Sequence, residues 1–152
     1  MRRHDVDIWT DGSTAGYAAI LICNGKTKLV YGHLDDATSS RCEMMAIIRG
    51  LELLTAASNV TIHSDSQFIV RGWEEWLPGW KRKGWRKADG KPVANLQLWK
   101  RMKRAAHTHM VSMVHLRGHQ GDELNETADI YAGLGNTIEG ERVECPLVGA
   151  ML

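Results

Sequence analysis

The stretch Val6-Asp7-Ile8-Trp9-Thr10-Asp11-Gly12-Ser13 alternates apolar and polar side chains and then stops at an Asp-Gly-Ser turn signal, so it reads as a strand that delivers Asp11 to a turn. Working outward, Tyr17 to Cys23 and Lys28 to Leu34 are two more strand-like runs, joined by the hairpin dipeptide Asn24-Gly25. After Ser39-Ser40 the period changes. Met44, Ile47, Ile48, Leu51 and Leu54 recur at three and four residues, which predicts an amphipathic helix ending near Ser58-Asn59. Val60 to Asp65 reads as a fourth strand. Gln67 to about Trp76 is expected to be helical and interrupted at Pro78-Gly79, and Asn95 to about His107 resumes helix. Met110 to Leu116 is a fifth strand, Gly118 to Gly121 a loop, and Asp122 to about Leu134 a last helix. The pattern predicts an α/β fold with a mixed five-stranded sheet, three antiparallel strands then two parallel ones, flanked by helices. Right-handed crossover through the first helix lays the fourth strand parallel to the first. Asp11 and Asp65 then sit at neighbouring carboxyl ends, where open α/β sheets place ligands.

A length of 152 residues suits one domain, expected over residues 1–136 with a basic excursion at about 77–95 and a tail at 137–152 that shows no clear period. The apolar fraction of 43% and charged fraction of 24% exclude a disordered chain or a fibrous rod. Apolar runs are far shorter than the roughly 20 residues needed to cross a bilayer, so no membrane partner is expected. Cys23, Cys42 and Cys145 are widely spaced and form no metal motif, which points to a reducing cytoplasm. Between Arg71 and Arg104 eleven Lys or Arg stand against three acids, a local charge of +8 in a chain whose net charge is +1, so the remainder carries −7. Trp73, Trp76, Trp80, Trp85 and Trp99 interleave with those cations. Such a block suits a polyanion, although a solvated basic helix with core aromatics would have the same composition.

Each candidate carboxylate has an ordinary explanation beside the chemical one. Asp11 could be a turn residue, Asp65 a helix cap, and Glu43 the far end of a Ser40-x-x-Glu43 capping box. Glu43, however, shares the sheet-facing side of its helix with Ala46, Ile47, Gly50 and Leu51. Neither Arg41 nor Arg49 lies on that side. An unpaired buried anion costs several kcal/mol, and a divalent metal would supply the missing charge.

Four segments taken together resemble the catalytic segments of the type 1 (bacterial-type) ribonuclease H family. They are Trp9-Thr10-Asp11-Gly12-Ser13, Arg41-Cys42-Glu43-Met44-Met45-Ala46, Ser64-Asp65-Ser66-Gln67, and Gly118-His119 followed by Asn125-Glu126-Thr127-Ala128-Asp129. The basic Trp80-Lys81-Arg82-Lys83-Gly84-Trp85, with Lys91-Pro92-Val93 and Leu98-Trp99, is similar to that family's substrate-gripping handle, and the resemblance runs from about Asp7 to Gly135. It implies a metal-dependent endonuclease, acting as a monomer, that hydrolyses the RNA strand of RNA–DNA hybrids and leaves 5′-phosphate and 3′-hydroxyl ends. Asp11, Glu43, Asp65 and Asp129 would hold two Mg²⁺ ions, with Mn²⁺ able to substitute, and His119 would be a mobile catalytic histidine. The resemblance also implies that Gly12, Ser13, Ser39, Met44 and Gln67 line the minor groove of the hybrid. It further implies that Trp76 and Trp80 lie beside the DNA strand, that Thr38 and Asn95 form a DNA-phosphate pocket, and that Lys81, Arg82 and Lys83 contact phosphates. The chain departs from the family at its short Thr14-Ala15-Gly16 loop, at Ser39-Ser40 where Asn is common, and at Asp36, near where some members carry Arg. Rival classes are a transposase or integrase core of the same fold and a hybrid-binding module without catalysis. An actin-like kinase would need a second domain.

Overall fold

A computed structural model describes residues 3–117 and 122–145. It contains strands β1 (His4–Gly12), β2 (Gly16–Cys23) and β3 (Lys26–His33), helix α1 (Ser39–Glu52), and strand β4 (Ser58–Ser64). These are followed by α2 (Gln67–Arg71), a π-helical turn (Gly72–Trp76), α3 (Leu77–Arg82), α4 (Leu96–Ala106), β5 (Met110–His115), α5 (Glu123–Gly135) and β6 (Glu141–Glu144). The sheet order is β5-β4-β1-β2-β3-β6. β1 runs parallel to β4, β4 parallel to β5, and the β1–β2–β3 meander is antiparallel, as the sequence pattern predicts. Asn24 and Gly25 both take positive φ, the turn a tight two-residue hairpin demands.

Alternation along β1 separates two cores. Val6 and Ile8 join Met44, Ile47 and Leu51 of α1 on one face of the sheet, and α4 packs on α1 there. On the other face, Ala18, Ile20, Leu29 and Tyr31 meet Ala128 and Ala132 of α5. The contact with α5 is close because it is made at glycines: a Cβ on Gly16 would stand 2.0 Å from the Ala132 carbonyl oxygen, and one on Gly135 would stand 2.3 Å from that of Gly32.

Three boundaries differ from the sequence expectation, each for a physical reason. The sheet has six strands, not five. Glu141 to Glu144, in the tail, pairs antiparallel with β3, and its edge position and two glutamates hide it from a hydrophobic-period test. The first helix stops at Glu52 because Ser58 and Asn59 are taken into the parallel ladder opposite His4 and Asp5. Pro78 does not interrupt the second helical stretch. It lies in the first turn of α3, where a missing N–H costs nothing, and the preceding π-turn begins at Gly72, whose Cβ would collide with Trp99 at 2.5 Å.

Candidate active site

Asp11 stands near the end of β1, Glu43 in the second turn of α1, and Asp65 in the turn between β4 and α2. Their approach depends on Gly12: a Cβ there would lie 2.5 Å from the Glu43 backbone nitrogen, so only glycine lets the end of β1 reach α1. The Gly12 N–H donates to Asp11 Oδ1 at 2.8 Å and fixes that carboxylate. One oxygen from each of Asp11, Glu43 and Asp65 falls within 4.8 Å of the others.

The caps lie elsewhere. Thr38 caps α1, its side chain accepting from the Arg41 N–H, so Glu43 is not the partner of a Ser40 capping box. Ser66 caps α2, accepting from the Ile69 N–H, which leaves the Asp65 carboxylate uncommitted. Asp11 is 5% exposed and Glu43 9%, and Glu43 Oε2 has no hydrogen-bond partner among the described residues. Among the described residues no arginine relieves it. Arg41 turns to Asn95 and Asp36, and Arg49 to Glu141 and Glu52.

Burial, followed by the charge of Asp65, pushes the Asp11 carboxyl well above the ordinary range; hydrogen bonds from Glu43 and Gly12 oppose this and one with Asp129 adds to it. Glu43 is pushed up by burial first, then by the charges of Asp11 and Asp65. Converging hard oxygens, raised proton affinity and a buried oxygen without a partner fit a divalent cation, which would replace the shared protons. Asp129 stands on the exposed side of α5, outside the tight trio but in hydrogen-bond contact with Asp11. His119 falls outside the described residues.

The expected substrate contacts divide by exposure. Ser39 and Gln67 are exposed at the starts of α1 and α2, and Gly12 is half-buried. Ser13 Oγ accepts from Asn136 Nδ2 at 2.9 Å and so helps hold the end of α5. Met44 is fully buried within an unbroken buried run of α1 from Cys42 to Ile48, so it packs in the core and does not line a groove. Thr38 serves as the helix cap. Asn95 takes a left-handed backbone with φ of 56° and accepts from Arg41 Nη1 at 3.3 Å, so Arg41 joins these two residues although the sequence reading gave it no part in the pocket.

Lys81, Arg82 and Lys83 are exposed at the end of α3 and beyond. Trp76 and Trp80 are half-buried: their rings meet at 5.9 Å, and Trp80 stands edge-on to the buried Trp99 at 5.3 Å. The tryptophan cluster is thus partly the core beneath the basic excursion. The sequence reading missed the contacts of Trp9 with His63 and Asp122, which long-range pairing alone creates.

A family model described as RNase H matches residues 3–136. The ribonuclease H of Thiobacillus denitrificans is 42% identical over 134 residues, covering 84% of this chain and 90% of that protein. The ribonuclease H of Bordetella pertussis is 40% identical over 136 residues, covering 86% and 88%. Among solved structures, LC9-RNase H1, described as a type 1 RNase H with the type 2 active-site motif, has a TM-score of 0.78 at 23% identity, covering 90% of this chain and 74% of that one. The RNase H domain of PFV has a TM-score of 0.76 at 20% identity, covering 92% and 99%. Those two likenesses speak for the fold. The family match runs past the end of α5 and takes in every carboxylate at the site, and with the two bacterial relatives it establishes that this chain belongs to the bacterial-type RNase H family of metal-dependent hydrolases.

Proposed function

We propose that this chain is an endonuclease that hydrolyses the RNA strand of RNA–DNA hybrids and leaves 5′-phosphate and 3′-hydroxyl ends. The observation that carries the chemistry is the converging Asp11–Glu43–Asp65 trio, with Asp11 and Glu43 buried and Glu43 Oε2 without a partner among the described residues. Asp11, Glu43 and Asp65, with Asp129 beside them, would hold Mg²⁺, or Mn²⁺ in its place, through hard carboxylate oxygens. Two such ions, when bound, lower the pKa of water and offset the charge that develops on the leaving 3′ oxygen.

The chain's own residues do the rest. Gly12 keeps one oxygen of Asp11 aimed and favours its ionised form, while the short β1–α1 approach holds Glu43 opposite. Ser39 and Gln67 are placed at exposed helix starts flanking the trio, where a hydroxyl and an amide can read 2′ hydroxyls. Lys81, Arg82 and Lys83 supply phosphate contacts on the basic excursion, with Trp76 and Trp80 beneath them. Thr38, Arg41 and Asn95 make the pocket for a DNA phosphate. His119 carries the proton traffic or product release that a near-neutral imidazole suits.

We place the protein in the cytoplasm as a monomer; its described cysteines are free thiols, which suit a reducing compartment. A hybrid-binding module without catalysis is disfavoured, because binding a polyanion gains nothing from three anions aimed at it. The test is a labelled hybrid incubated with Mg²⁺ and with EDTA, beside duplex DNA. Metal-dependent cutting of the RNA strand alone is expected; equal cutting of both strands, or full activity in excess EDTA, would overturn the reading.

A further inference from the structure

Asp122 sits between the segment that carries His119 and the helix that carries Asp129. Its two carboxylate oxygens have separate tasks. Oδ1 accepts the Leu124 and Asn125 N–H groups, both at 3.0 Å, and so caps α5. Oδ2 accepts the Trp9 indole N–H at 3.2 Å, a bond that reaches across 113 residues to β1. Trp9 is in turn stacked on His63 of β4, ring centroids 4.0 Å apart and planes within 5°, and His63 Nε2 lies 2.9 Å from Asp7 Oδ1. Trp9 and His63 are register partners in the parallel ladder. Each stands two residues before a carboxylate of the trio: Trp9 before Asp11, on the same side of β1, and His63 before Asp65, in the turn that follows β4.

A cap alone needs one oxygen, and serine, threonine or asparagine would provide it. The second oxygen of Asp122 ties the cap to the strand that ends in Asp11. The far end of α5 is already keyed to the sheet by the close contacts at Gly16, Gly32 and Gly135. Near the site, α5 presents the small Ala128 to the sheet, a smooth surface that sets axial position weakly. Asp129 lies seven residues past Asp122, about two helical turns, so a shift of the first turn moves both together.

We propose that Trp9, His63 and Asp122 are positioning residues: the stacked pair on the sheet holds the first turn of α5, and through it Asp129, in register with Asp11. The inference rests on the trio being the reactive site. It concerns alignment, because none of the three touches the reacting atoms.

Two variants separate alignment from stability. Trp9→Phe keeps an aromatic ring on His63 but loses the N–H, and Asp122→Ser keeps a cap but cannot reach the indole. Each is expected to lower kcat on a labelled hybrid about ten- to hundred-fold, the scale of an ångström-sized misplacement, with KM within about twofold because the handle is untouched. Each should also weaken Mn²⁺ binding measured by calorimetry without nucleic acid. The double variant should be no worse than the more severe single, since both remove one contact. Unchanged kcat and Mn²⁺ affinity in both singles, even with a lowered Tm, would reduce Asp122 to an ordinary cap and overturn the proposal. So would losses that multiply in the double variant. Should the wild type fail to cut the hybrid, the function reading falls, and the Mn²⁺ affinities alone decide the alignment: weaker binding supports it, equal binding overturns it.

Discussion

Two clusters of charge include residues of α1, one half-buried around Arg49 and one more deeply buried around Glu43, and they are built on opposite terms. In the first, Arg49 clamps Glu141 through two bonds of 2.8 Å, Tyr17 Oη donates to the same carboxylate at 2.6 Å, and Glu52 bridges Arg49 to Arg101. Glu141, although burial alone would raise it, is held below the usual carboxylate range by Arg49 and Tyr17; Glu52 is held down first by Arg101. In the second, Asp11, Glu43 and Asp65 repel one another without a cation. The contrast shows that this fold can pair its charges where pairing serves only to hold the chain together. Where it leaves them unpaired, the missing charge can come from outside, and that is the ground on which the trio is proposed as a metal site.

The largest expected effect is on the unpaired side. Asp11→Asn or Asp65→Asn should lower kcat/KM by about 10³-fold or more, because a ligand worth several kcal/mol of charge stabilisation is lost. Single-turnover cleavage of a labelled hybrid checks this; retention of a tenth of the activity would place that carboxylate outside the site. Glu141→Ala attacks the paired side instead. It should cost about 2–3 kcal/mol in urea unfolding, less than the 3–5 of a fully enclosed pair, because Arg49 and Glu141 side chains stay 25% and 22% exposed. Its kcat should stay near that of the wild type.

The two clusters also have opposite pH dependence. Asp11 and Glu43 have folded pKa values above their unfolded values of about 4, so the native state binds more protons than the unfolded chain; their contribution is full below about pH 4 and is lost as pH rises through neutrality. Glu52 and Glu141 have depressed folded values, so their contribution is present above about pH 4 and lost as pH falls below it. Thermal melts in EDTA should therefore show Tm falling from mildly acidic to alkaline pH. Glu43→Gln should flatten that fall and raise Tm by several degrees at pH 8, for about 1–2 kcal/mol of relieved repulsion. Millimolar Mg²⁺ should stabilise the wild type and not Glu43→Gln. Equal slopes for both proteins in EDTA would mean that the trio does not repel.

How much of this was legible in the sequence depends on the range of the cause. β1 to β3 were readable because alternation and Asn24-Gly25 are local signals, and Asp11 and Asp65 could be brought together because one crossover rule relates neighbouring parallel strands. The caps were not: a shift of one or two residues, to Thr38 and Ser66, decides whether Glu43 and Asp65 are committed, and Ser40 and Asp65 are equally good capping types. A groove-facing Met44 is what the resemblance implies, but α1 is covered on every side from Cys42 to Ile48, and that tertiary burial puts Met44 in the core. The π-turn at Gly72 exists for Trp99, distant in sequence, and β6 is held by Glu141 through Tyr17 and Arg49, so neither has a local signature.

The smallest effect belongs to a pair between the two extremes. Arg41 lies 3.5 Å from Asp36, whose side chain is 92% exposed, and Arg41 Nε is buried without a partner among the described residues. An exposed pair of this kind contributes about 0–1 kcal/mol, so Asp36→Asn should leave Tm nearly unchanged, unlike Glu141→Ala. Its consequence should appear in binding. In the proposed phosphate pocket Asp36 would compete with a phosphate for Arg41, beside Thr38 and Asn95, and removing its charge should tighten hybrid binding about two- to threefold at low salt. Solvent-exposed charges are screened beyond a Debye length of about 10 Å at 0.1 M, so the gain should shrink as salt is raised. Arg41→Ala should weaken binding instead and abolish the effect of Asp36→Asn in the double variant. Binding titrations at two salt concentrations decide it: a loss of more than about 1 kcal/mol of stability in Asp36→Asn would place this pair with the Arg49 network, and an unchanged hybrid affinity would remove Arg41 from the phosphate pocket.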